Sequence, residues 1–197
     1  MMTRSRVRRC CAVLTVTAAL ASTGCGSSPA SPGPLREETS GGKPAVAAAA
    51  TLVDHGQAAD GEVYVVNSAH SPLLVTGVSE VAVPGYPAGS LQHTAITATG
   101  AGIAAARGWP PPVPVKPAIG GTLPPGLSQI VFGFNGPKAG QDYAMAGVTI
   151  TYKYHGQTYT VTAWTAEVAC TMQKPQAACG AYLAKVNARV EKMAGLS

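Results

Sequence analysis

The chain has 197 residues, of which 46% are hydrophobic and only 12% charged, with a formal charge of +5. That length suits one domain with tails, and sparse charge beside 23 Gly and 16 Pro favours many short strands over a helical bundle. Four of the fourteen basic residues (Arg4, Arg6, Arg8 and Arg9) stand in the first nine positions; beyond them ten Lys and Arg face nine Asp and Glu, leaving no electrostatic footprint for nucleic acid.

Behind those arginines runs an apolar stretch over residues 10–21. It is shorter than the roughly 20 residues needed to cross a bilayer, and with its basic flank it reads as a secretory signal peptide over residues 1–24. Two processing routes are open. Ala19-Leu20-Ala21 offers an A-x-A site for ordinary cleavage and release. Ser22-Thr23-Gly24-Cys25, in contrast, resembles the lipobox of bacterial lipoproteins, with Ser22 standing where Leu is usual. The resemblance implies that the Cys25 thiol is diacylglycerated, that cleavage makes Cys25 the first residue, and that fatty acyl chains such as palmitate hold it in the membrane. Cysteine arithmetic favours this route. Cys10 and Cys11 leave with the signal, so ordinary cleavage strands three cysteines in an oxidising compartment, whereas lipidation of Cys25 leaves Cys170 and Cys179 as an even pair. Two or more acyl chains anchor stably where one does not. The expected location is the outer face of the cytoplasmic membrane, with free secretion as the alternative.

Residues 26–60 are rich in Ser, Pro, Gly and Ala and carry no sustained apolar period. With Cys25 they are expected to form a lipidated, flexible tether over 25–60, about 30–35 Å in mean reach. The fold is expected over 61–197. EVYVVNS and SPLLVTGVSEVAV read as two strands parted by a turn at residues 67–72, LQHTAITAT as a third and LSQIVFGFN as a fourth. In GVTITYKYHGQTYTVTA a two-residue loop at His155-Gly156 sets Tyr152 opposite Tyr159, Ile150 opposite Val161 and Val148 opposite Ala163. Thr151 then meets Thr160 and Thr149 meets Thr162 on the other face, an agreement that a one-residue slip destroys.

Residues 109–126, GWPPPVPVKPAIGGTLPPG with its preceding glycine, are too proline-rich for a central strand. They are either a proline-rich ligand for an aromatic groove or a rigid crossover between two sheets pinned by Trp109. Cys170 and Cys179 are separated too widely for C-x-x-C and wrongly for zinc, so a structural disulfide is expected in an exported protein. Leu183, Val186, Val190 and Met193 mark one face of a helix ended by Gly195, stapled by that disulfide to the preceding strand. The fold class is therefore mainly β: an antiparallel Greek-key, immunoglobulin-like β-sandwich with one C-terminal α-helix.

Catalytic signatures are missing. No H-E-x-x-H, G-x-S-x-G, P-loop or G-x-G-x-x-G occurs, Ser90 lacks a nucleophile-elbow context, and the acids Asp60, Glu62, Glu80, Asp142 and Glu167 show no telling spacing. His55 falls in the tether and His155 at the hairpin tip, while convergence of His70 and His93 is left open. EVYVVNSAHSPLLVTGVS faintly resembles the opening strands of periplasmic copper chaperones, which implies soft His and Met ligands for Cu(I). Met145 and Met172 stand alone here and no His-x-Met follows. The resulting expectation is a non-enzymatic binding module without cofactor, whose partner is an envelope protein or cell-wall ligand, met by loops at one end of the sandwich or by residues 109–126. An extracytoplasmic copper carrier is the alternative, and an envelope hydrolase a weaker one.

Overall fold

The computed structural model describes residues 33–44, 46–54, 58–88, 91–97, 108–135 and 141–196, all within one compact unit. The signal peptide, Cys25, His55 and Ser90 lie outside the described residues. Leu35–Glu37 (β1), Ala58–Asn67 (β5), Leu91–Thr97 (β7), Val115–Pro117 (β8) and Gly126–Asn135 (β10) build one sheet in the order β1-β5-β10-β7-β8. Ala47–Val53 (β4), Leu73–Ala82 (β6), Thr122–Leu123 (β9), Tyr143–Tyr154 (β11) and Gln157–Thr171 (β12) build the second, in the order β4-β12-β11-β6-β9. A small ribbon, Thr39–Ser40 (β2) with Lys43–Pro44 (β3), carries the chain from β1 to β4. With β1 and β4 as two halves of a first strand shared between the sheets, the orders match the A-B-E-D and A-G-F-C arrangement of an immunoglobulin-like sandwich.

The β11–β12 ladder has the register expected from sequence: Tyr152 pairs Tyr159, Ile150 pairs Val161, Val148 pairs Ala163, and the threonines pair with one another. His155 (φ 48°) and Gly156 (φ 78°) both take the left-handed conformation that a two-residue hairpin of this twist demands. The turn after β5 also has a specific cause. Asn67 accepts the Ala69 N–H and donates to the carbonyls of Ser71 and Leu123, fixing the chain direction with one side chain.

Part of the segment expected to be a flexible tether is folded. Residues 35–37 and 47–53, expected to be flexible, are strands; β4 runs parallel to β12, with Ala47 opposite Thr165 and Val53 opposite Thr171. The reason is physical. An edge strand needs little amphipathic pattern, and its partner lies more than a hundred residues away, so a local reading of Ala45–Ala50 finds nothing to dock it.

Side chains from both sheets fill the interior, among them Val63, Val65, Leu73, Phe132, Ile150 and Tyr152. Gln176–Met193 (α1) adds a third layer on the outer face of the second sheet. Val186 and Val190 are buried there, Leu183 and Met193 pack at the rim, and Cys179 is bonded to Cys170 of β12. The helix begins at Gln176, seven residues before the first residue of its apolar face, directly after Pro175, which places Cys179 inside its first turn.

Candidate functional site

Residues 108–126 form a strap that crosses between the sheets. Its β8 pairs with β7 at the edge of the first sheet, and its β9 pairs with β6 at the edge of the second. Backbone bonds repeat this double attachment: Ala118 N–H donates to Thr94 O at 3.1 Å, and Gly120 N–H to Val75 O at 2.9 Å. The Thr97 hydroxyl adds a bond to Pro114 O at 3.0 Å. The strap is therefore a structural crossover, as one of the two sequence readings required, and Trp109 pins its start.

The pin sits on a glycine. Asp60 of β5, Gly133 of β10 and His93 of β7 occupy one cross-strand row on the outer face of the first sheet. A Cβ at Gly133 would lie 2.8 Å from Cε3 of Trp109, so the indole fills the space that the glycine leaves. The His93 ring stacks on the same indole at 5.1 Å between centroids and 17° between planes. Beneath them Asp60 is fully buried, and neither carboxylate oxygen has a hydrogen-bond partner among the described residues. Burial pushes its carboxyl up to about 7.

Two clefts flank β8. One, of about 380 Å³, includes His93, Trp109, Val115 and Ile119 in its walls. The other, of about 500 Å³, includes Ile96, Pro114, Pro124 and Leu127. Ile119 of the strap, in the wall of the first cleft, is 56% exposed, and Leu127 of β10, in the wall of the second, is 40% exposed, so each cleft carries a large apolar side chain turned to solvent.

A second group of acids lies where the first strand changes sheets. The Glu37 carboxylate accepts the Trp164 N–H at 2.6 Å, and Glu167 accepts the Thr165 hydroxyl at 3.0 Å together with the backbone N–H of Glu62. Glu62 in turn takes bonds from the Gln129 amide and the Tyr64 hydroxyl. Each sheet thus reaches a carboxylate across to an amide that the departing strand leaves open on the other. Burial raises Glu37 to about 7 and Glu167 to about 8, the bonds from Trp164 and Thr165 opposing that rise. These acids act as a structural seam beside a cleft of about 450 Å³ that Tyr64 and Trp164 help to line.

The copper constellation does not assemble. β10 sets Asn67, three residues before His70, opposite Gly126 and sets His93 opposite Gly133, so the two histidines lie at opposite ends of that strand, roughly 20 Å apart. Met145 is sealed in the core between the sheets, and Met172 is exposed after β12. Among the described residues no three His, Cys, Asp or Glu side chains gather as a metal site. Sequence reasoning missed Asp60 and Glu37 as buried acids. Lone glycines inside the strand patterns ADGEVYVV and IVFGFN were the available signal of close approach at Gly61 and Gly133. No family model matches the chain, and no curated protein sequence matches it either.

Proposed function

We propose that the protein is an exported, lipid-anchored and non-catalytic binding module of the bacterial cell envelope, attached through Cys25 and presenting the strap to an envelope protein or a cell-wall ligand. The observation that carries the binding surface is the pair of exposed apolar side chains, Ile119 and Leu127, one in each of the two clefts that flank β8. Large apolar side chains turned to solvent beside concave ground are characteristic of contact surfaces, and the rigid prolines lower the entropy cost of ordering the strap on binding. The attachment is supported by the lipobox-like Ser22-Thr23-Gly24-Cys25 behind a signal peptide and by the even cysteine pair that lipidation leaves. Nine residues separate Cys25 from β1, so the chain places the fold at most about 35 Å from its anchor.

The test compares the anchored protein with an Ile119→Asp/Leu127→Asp variant in affinity capture from the native envelope. A partner held by the first and lost by the second, with the variant folded by circular dichroism, supports the surface. Equal capture by both removes it.

A further inference from the structure

We propose that the strap is a proton-controlled latch: ionisation of the buried Asp60 lifts Trp109 from its seat over Gly133 and uncovers the outer face of the first sheet. The geometry carries this reading. A Cβ at Gly133 would stand 2.8 Å from the Trp109 ring and 3.6 Å from Oδ1 of Asp60, so the indole lies over the strand immediately beside the carboxylate. Both oxygens of that carboxylate are buried and unbonded among the described residues, a condition a neutral acid tolerates and a charged one does not. The elevated carboxyl pKa agrees with the closed state holding the proton.

Among the described residues the charged and titratable neighbours on this face are Glu62 and His93. Glu62 lies on β5, two residues along, and is already bonded to Gln129 and Tyr64; His93 lies on β7. Neither β10 nor residues 108–115 of the strap carry any ionisable side chain. Among the described residues no cation is therefore bonded to Asp60, and ionisation is relieved either by water or by His93 turning toward it. Water enters only if the indole lifts, and a turned imidazole gives up its stack on Trp109. Both routes release the same pin. What the open latch exposes is apolar: Ala95 and Val131, which Trp109, Val113 and Val115 cover when it is closed. The latch operates whether or not the strap binds a partner, because its readout is the position of Trp109.

Trp109 and Trp164 are the two tryptophans, so a Trp164→Phe chain reports on Trp109 alone. Acrylamide quenching of its emission is followed from pH 5 to pH 9. The expected result is a rise in the quenching constant of at least about twofold, with a midpoint near neutrality, abolished by Asp60→Asn and retained in His93→Gln. An unchanged quenching constant across the range overturns the proposal, as does a transition that survives Asp60→Asn. If Asp60→Asn does not fold, amide exchange of the otherwise native chain decides. The Ala118 amide, which donates to Thr94 O, is expected to lose protection relative to core amides of β11 as pH rises, after correction for intrinsic exchange. Parallel behaviour of the two sets of amides refutes the latch.

Discussion

Gly147 of β11 adopts φ 140° at a break in the β11–β12 register, and a Cβ there would overlap the Ala163 carbonyl oxygen. Gly147→Ala is expected to cost about 1–3 kcal/mol, combining left-handed strain with displaced backbone, read as a lower urea midpoint. Glu167 makes a different demand, since its carboxyl must accept hydrogen bonds in a space that penalises its charge. Glu167→Gln keeps an acceptor and removes the charge, so near pH 8 it is expected to leave stability unchanged or raised. Glu167→Ala strands the Glu62 amide, while the Thr165 hydroxyl keeps the Ala47 carbonyl as acceptor, and is expected to lose about 1–3 kcal/mol. Equal losses in the two variants would contradict the role given to the seam. Such acids were not legible in the sequence, because the desolvation that defines them comes from strands brought together over a hundred residues of separation. Gly133 was half legible: its position inside a strand announced a close approach, though not that Trp109 would make it.

The elements that depend on local pattern were the legible ones. Residues 148–163 specify their own hairpin, since apolar and threonine faces agree only in one register and His155-Gly156 supplies the turn. Asparagine accepts the left-handed conformation at position 155 more readily than histidine does. His155→Asn is accordingly expected to raise stability by about 0.5–1 kcal/mol in chemical denaturation, and a loss would show that the His155 ring, packed 4.0 Å from Tyr154, matters more than the backbone. The helix was found by its 3-4-3 apolar spacing, but its start was not, because residues 176–180 carry no apolar period of their own. The Cys170–Cys179 bond spans nine positions and lies where α1 meets β12. Replacing both cysteines by serine is expected to cost about 2–3 kcal/mol by loop-closure entropy and to reduce the helical signal before the sheet signal on heating. Simultaneous loss of both signals, at an unchanged midpoint, would count against the staple. β4 escaped detection for the opposite reason: an alanine-rich edge strand is defined by its parallel partner and by little in itself.

At the scale of the molecule, burial pushes four carboxyls, Glu37, Asp60, Glu80 and Glu167, in the same upward direction. Glu37 and Asp60 are raised to about 7 and Glu167 to about 8, all chiefly by burial, so the folded chain binds more protons than the unfolded one near neutrality. Their contribution to stability is fully present below the unfolded carboxyl range near pH 4 and is lost as pH rises through 7–8. The urea midpoint is expected to be higher at pH 5 than at pH 8.5, and a midpoint that rises with pH would contradict these environments. The proposed attachment of the sandwich to the membrane depends on one thiol, Cys25. The central claim is that this thiol is the anchor, and mass spectrometry of the protein recovered from its native membranes tests it directly. The account predicts an N-terminal peptide that begins at Cys25 and carries diacylglycerol, with Cys25→Ser releasing the protein to the medium. An unmodified N-terminal peptide beginning at Ser22, or unchanged membrane association of Cys25→Ser, would contradict it.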